Sequence, residues 1–126
     1  MTGLWYSKDH TWVRVEGEQA RIGISDFAQG ELGDIAYVDL PQTGRRLSRG
    51  DTACVLESLK SSSEVYAPVS GVVVETNPLL ASEENCSLVN RDPLGEGWLY
   101  AVRLEDPKEL ALLLAEEQYR SYVAGG

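Results

Sequence analysis

A chain of 126 residues, 43% apolar and 25% charged, has what one globular domain needs to bury its own core. Its net charge of −9 argues against nucleic acid and against anionic membrane surfaces, both of which call for cations. Two cysteines outside any Cys-x-x-Cys pair and a single histidine argue against a metal centre, and no apolar run reaches the about 20 residues of a membrane span. The opening "MTGLWYSKDHTW" enters folded-looking sequence at once, so no leader is expected. A reduced, cytoplasmic protein is the simplest expectation.

In chain order, the first signal is alternation. Trp12, Val13 and Val15 precede Glu16-Gly17-Glu18, and Ala20, Ile22 and Ile24 follow it, which predicts an antiparallel hairpin. Ser25 suits the cap of a short helix over "DFAQGEL". "DIAYVDL" reads as a strand, "PQTG" as a turn, and "TACVLES" as a second strand. Beyond Lys60 come "SEVYAPV" and "GVVVETN", with Pro68 expected at an edge, bulge or strand end because it has no N–H for a ladder. "PLLASEENCSLVN" has room for one helical turn in a surface loop, "RDPLGEGW" is a loop by composition, and "WLYAVRLE" is a strand. "DPKELALLL" carries a helix start: Asp106 as N-cap, Pro107 at the first position, Glu109 three after the cap. The ending "EEQYRSYVAGG" reads as helical and frayed.

Many short strands followed by a helix predict a mainly β fold, a sandwich or flattened barrel. One domain is expected over 1–126, with a β core at about 4–105 and a C-terminal helical segment at about 106–123. Cys54 falls in an apolar strand and is expected to be buried; Cys86, in a loop-like stretch, is the thiol open to exposure. Trp5, Tyr6, Trp12, Tyr37, Trp98 and Tyr100 are expected in core and strands, and His10 as a packed or hydrogen-bonded residue.

Lys60 is the residue that asks for explanation. It stands at a predicted hairpin tip among small polar neighbours, "ESLKSSSE". A solvated lysine that discourages edge pairing is the plain reading. A catalytic lysine is disfavoured, because nothing there lowers its pKa by burial or by a neighbouring cation. The small neighbours fit a third role, attachment of a prosthetic group by an enzyme that must engulf the turn, with Glu57 and Glu64 on either side as recognition groups.

The run "ESLKSSSEVYAPVSGVVVETN" resembles the lipoyl-attachment hairpin of the glycine cleavage system H proteins. "SKDHTWVRVEGEQARIGISDFAQGELGDIAYVDLP" and "LVNRDPLGEGWLYAVRLEDPKEL" are similar to the family's flanking parts, so the likeness spans roughly Trp5 to Leu114. It implies a lipoyl/biotinyl-type barrel-sandwich hybrid with short helices and a C-terminal helix. It implies lipoic acid amide-linked to Lys60, with Glu57, Ser58 and Glu64 read by the modifying enzyme, a lipoate ligase or octanoyl transferase. It further implies a carrier, not an enzyme: a protein that shuttles the aminomethyl intermediate from glycine decarboxylase (P-protein) to aminomethyltransferase (T-protein) and reducing equivalents to dihydrolipoyl dehydrogenase (L-protein). No catalytic residue, metal, nucleic acid or membrane is expected, and the chain is expected to be monomeric.

In this family the loaded arm folds into a surface cleft, for which His10, Thr11 and Glu64 are the candidates here. The chain departs from the pattern at Thr11, where the usual residue is glutamate, and at Glu64, where it is aspartate. A weaker hold on the loaded arm is the expectation, set against the plainer reading that the backbone supplies most of the contacts and both changes are tolerated. Two alternatives stay open: an H-like relay of lipoyl or octanoyl groups, and a non-lipoylated adaptor with the same fold.

Overall fold

The computed structural model describes residues 2–125. The larger sheet contains β1 (Thr2–Tyr6), β2 (Thr11–Glu16), β3 (Gln19–Ile24), β5 (Arg46–Leu47), β8 (Gly71–Thr76), β9 (Tyr100–Leu104) and β10 (Leu114–Ala115), in the order β10-β1-β2-β3-β9-β8-β5. The smaller sheet contains β4 (Ile35–Asp39), β6 (Thr52–Ser58) and β7 (Ser62–Tyr66), with β6 central. The paired strands are antiparallel. The helices are α1 (Asp26–Leu32), α2 (Leu88–Arg91) and α3 (Glu116–Gly125). The fold is an unclosed β-sandwich with short helices and a helix at the C-terminal end, as the sequence predicts.

Alternation in the strands builds two apolar layers. Val13, Val15, Ile22 and Val102 point to the main core, where they meet Val38 and Leu56 of the smaller sheet. Trp12 and Ala101 point the other way, into a second cluster with Tyr6, Trp98 and Tyr119 that α3 covers. The Trp12 indole N–H donates to the Pro93 carbonyl at 2.9 Å, so the "RDPLGEGW" loop closes over this tryptophan.

Several expectations need correction. The C-terminal helical segment is not continuous. Pro107–Leu112 forms a 3-10 helix; then Leu114 and Ala115 extend to pair with Tyr6 and Trp5, and only afterwards does α3 begin. The Asp106 cap is present, its carboxylate accepting from Lys108 N–H at 3.1 Å. Glu109, however, does not reach back to the cap: its carboxylate takes the Ser70 N–H at 2.6 Å and the Ser70 hydroxyl at 2.8 Å. That competing bond fastens the 3-10 turn to the sandwich. The segment from Pro78 to Arg91 holds three helical turns where one was expected, and it is no passive surface loop, since Leu80, Cys86 and Val89 enter the core. Cys86 is therefore buried, its Sγ 3.7 Å from the Ser82 carbonyl and 3.8 Å from that of Leu80. Tyr37 is 44% exposed, unlike Tyr6, Trp12, Trp98 and Tyr100, because it faces outward on β4. Pro68 stands between β7 and β8, at a strand end, as its missing N–H requires.

Candidate functional site: a lysine hairpin beside a cleft

β6 and β7 form the hairpin, with Glu57 opposite Ser62 as its last ladder pair. Ser58 to Ser61 make the reversal, closed by the Ser58 N–H donating to the Ser61 carbonyl at 2.8 Å. Two-residue hairpin loops usually rely on positive φ at their centre, yet neither Leu59 nor Lys60 has it. The Ser58 hydroxyl supplies what the backbone lacks. Its oxygen accepts from Ser61 N–H at 3.0 Å and from Lys60 N–H at 3.3 Å, and it donates to the Ser61 carbonyl at 3.1 Å. Ser58 is thus the keystone of the turn.

Lys60 and Leu59 are exposed, Leu59 at 79%. Among the described residues the ion pairs are Arg46–Glu105 and Arg120–Glu116, so the Lys60 ammonium has no acidic partner within 4.0 Å. The tip is tied down on one side only. Leu59 N–H donates to the Asp34 carbonyl at 3.0 Å, and the Lys60 stem lies over Gly33. A Cβ on Gly33 would stand 3.2 Å from Lys60 Cε, and Gly33 has φ 80° and ψ −164°, a region open essentially to glycine alone. Both facts demand glycine where α1 ends and the lysine stem rests.

α1 leads from Gly33 to a cleft of about 170 Å³. Phe27, Ala28, Glu31 and Leu32 form its helical wall; Asp9, His10 and Thr11 come from the entry to β2, Ile24 from β3, and Leu56, Ser63, Glu64 and Val65 from the hairpin. His10, Thr11 and Glu64 therefore line one cleft. Larger hollows, such as those beside Arg14 and Arg21 or beside Gly17 and Arg103, lie on other faces and have no contact with the lysine turn. Thr11 is 1% exposed. The Glu64 carboxylate is engaged with the Tyr66 hydroxyl at 3.1 Å, which raises the pKa of that phenol. His10 is held by the Tyr119 hydroxyl at 2.8 Å from Nδ1, with its ring 4.7 Å from Phe27.

Sequence reasoning missed Phe27, Glu31, Gly33, Asn90 and Tyr119. Positions 27, 28, 31 and 32 share one face of a helix, and that spacing was available as a signal once the helix was predicted. Asn90 and Tyr119 act across 55 or more positions of sequence, and no local pattern announces them.

Fold and site together define a class: an open antiparallel β-sandwich that presents one unpaired lysine on a protruding hairpin, next to a cleft. The family model described as "Glycine cleavage H-protein" matches residues 4–125, and the chain belongs to that family. It is 44% identical over 98% of its length to the glycine cleavage system H protein of Bradyrhizobium diazoefficiens, all of which is covered. It is 49% identical over 95% of its length to glycine cleavage system H protein 1 of Caldanaerobacter subterraneus, 94% of which is covered. The crystal structure of an H protein from Mycobacterium marinum superposes with a TM-score of 0.85 at 32% identity, covering 98% of each chain.

Proposed function

We propose that this chain is the lipoyl-bearing carrier of the glycine cleavage system and that Lys60 bears the group. The observation that supports this most is the Ser58–Ser61 reversal, which holds an exposed, unpaired lysine on a fixed turn closed by two serines. A ligase or transferase can close around such a turn and reach Nζ without unfolding anything. The residues fit an amide-linked lipoyl group: the stem rests on Gly33, where no side chain intervenes, and the adjoining cleft mixes apolar walls with carboxylates. When bound to Lys60, the group would supply a reversible disulfide–dithiol couple and a sulfur able to carry an aminomethyl unit among P-, T- and L-protein.

The chain's own residues present and shelter. Ser58 fixes the direction of the lysine, and Glu57 and Glu64 flank the turn as recognition charges for the modifying enzyme. Leu32, Leu56 and Val65 exclude water from the cleft, and Glu31 and Asp9 offer negative charge to a cationic cargo. Tethering raises the effective concentration of the cargo at successive enzymes. The carrier has no reaction of its own in this reading, and it works as a cytoplasmic monomer, in keeping with two free buried thiols.

Two measurements test this. Intact mass of protein from lipoylation-competent cells is expected to show one lipoyl increment that Lys60→Arg abolishes; an unmodified mass favours an adaptor. Glycine-dependent reduction of the modified protein by P-protein is expected; a lipoylated protein that P-protein ignores favours a lipoyl relay.

A further inference from the structure

The Tyr119 hydroxyl joins the C-terminal helix to both walls of the cleft. Its Oη lies 2.8 Å from His10 Nδ1 and 2.7 Å from Ser25 Oγ. Tyr119 is buried, and its ring stacks on Tyr6 with centroids 4.2 Å apart and planes 5° from parallel. His10 lines the cleft ahead of β2. Ser25 caps α1, its oxygen accepting from Ala28 N–H at 3.1 Å, and α1 is the opposite wall. One hydroxyl thus bridges the two walls from an element that is itself outside the cleft.

The backbone at His10 shows how much the contact controls. Its φ is +68°, uncommon for any residue other than glycine. Such a conformation persists where its surroundings over-determine it. Here His10 N–H donates to the Ser7 carbonyl at 3.1 Å, its own carbonyl accepts from Ser25 N–H at 2.9 Å, and its ring is held by Tyr119.

A phenol has one proton, so Oη donates in one direction and accepts in the other. If Tyr119 donates to Ser25, it accepts from His10 Nδ1–H and leaves Nε2 with a free lone pair. A protonated amine cargo needs acceptors, which selects this order. Resting on the carrier reading above, we propose that Tyr119 is a positioning residue of the cleft. It fixes His10 as the Nδ1–H tautomer and pins α1 against the start of β2, so that the carried aminomethyl group is kept from water.

His10 is the chain's only histidine, so its ring nitrogens give an unambiguous NMR signal. In the unmodified wild-type protein with the imidazole neutral, nitrogen-15 shifts are expected to show Nδ1 protonated and Nε2 bare. Tyr119→Phe, which keeps the stack on Tyr6, is expected to relax this to a tautomer mixture. In lipoylated, aminomethyl-loaded protein, Tyr119→Phe is expected to release formaldehyde and ammonia about 2- to 10-fold faster, the range of one net hydrogen bond. His10→Gln is expected to speed release similarly, and the double variant to be no faster than the faster single one, because the two act as one unit. An Nε2–H tautomer in the wild type overturns the proposal. So does an unchanged release rate in His10→Gln, a test that stands even if Tyr119→Phe fails to fold. A chain that never gains a lipoyl group overturns the carrier reading instead, while the tautomer still decides the role of Tyr119.

Discussion

Asn90 braces the floor under the lysine turn through Gly33. Its Nδ2 donates to the Gly33 carbonyl at 2.8 Å and to Gln29 Oε1 at 3.0 Å, while its Oδ1 accepts from Ile35 N–H at 2.8 Å. An aspartate at this position keeps the acceptor and loses both donated bonds. Asn90→Asp and Asn90→Ala are each expected to cost about 1–3 kcal/mol of stability, as a polar group in the α1–β4 connection loses its partner. Slower acylation of Lys60 is expected to accompany the loss. Denaturant unfolding and initial rates with a lipoate ligase measure the two; full-rate acylation in Asn90→Asp at reduced stability separates floor from turn.

Gly33→Ala is expected to be worse than an ordinary surface substitution. The backbone region alone costs about 1–3 kcal/mol for a residue with a side chain. The added methyl also crowds Lys60 Cε at 3.2 Å. Unfolding midpoints and lipoylation rates are both expected to fall; a variant equal to wild type in both shows that the lysine stem does not depend on this hollow.

At the cleft, Thr11 and Glu31 are expected to pull in opposite directions. Thr11→Glu places a carboxylate beside a cationic cargo and is expected to slow hydrolytic loss of the aminomethyl group, whereas Glu31→Gln removes one and is expected to hasten it, each by about 10- to 100-fold for one charge-assisted bond of about 1.5–3 kcal/mol. Loss of formaldehyde from loaded protein reports both. Identical rates in all three proteins mean that backbone and apolar walls provide the shelter.

Alkaline conditions are expected to destabilise the fold. Burial raises the thiol of Cys54 and that of Cys86, and it raises the phenols of Tyr6, Tyr119 and, furthest, Tyr100, whose Oη is buried with no hydrogen-bond partner among the described residues. A group with a raised native pKa holds its proton longer when folded than when unfolded. Its contribution is whole below the unfolded value and declines above it. Stability is therefore expected to be level to about pH 8.5, where free thiols ionise, and to fall further beyond about pH 10, where free phenols do. Urea unfolding under reducing conditions, from pH 7.5 to 10.5, checks this; a midpoint that holds steady across that span contradicts it. Both thiols are likewise expected to resist alkylation until the chain unfolds.

The parts legible in the sequence were those written locally. The Trp12–Ile24 hairpin, the Ser25 and Asp106 caps and the reversal around Lys60 all follow from alternation and from small polar residues at turns. What escaped depends on distant partners. β1 and β10 pair only because the ends of the chain meet, and a run as short as Leu114-Ala115 has no period to read. Glu109 resembles a capping-box residue until Ser70 competes for it. Cys86 looked exposed because its neighbours are polar, yet the turns around it carry Leu80 and Val89 inward with it. Tyr119 meets His10 across 109 positions, a contact that only the folded chain creates.

The glycine hollow under Lys60 also gives the lysine a bearing. A side chain standing free on a loop tip sweeps nearly a hemisphere, and most of its orientations lead nowhere. One laid over Gly33 is confined to the end of α1, the helix whose Leu32, Ala28 and Phe27 line the cleft. Whatever is built onto its nitrogen starts from that side of the turn, so its reach is counted from the end of α1 and not from a freely swinging tip.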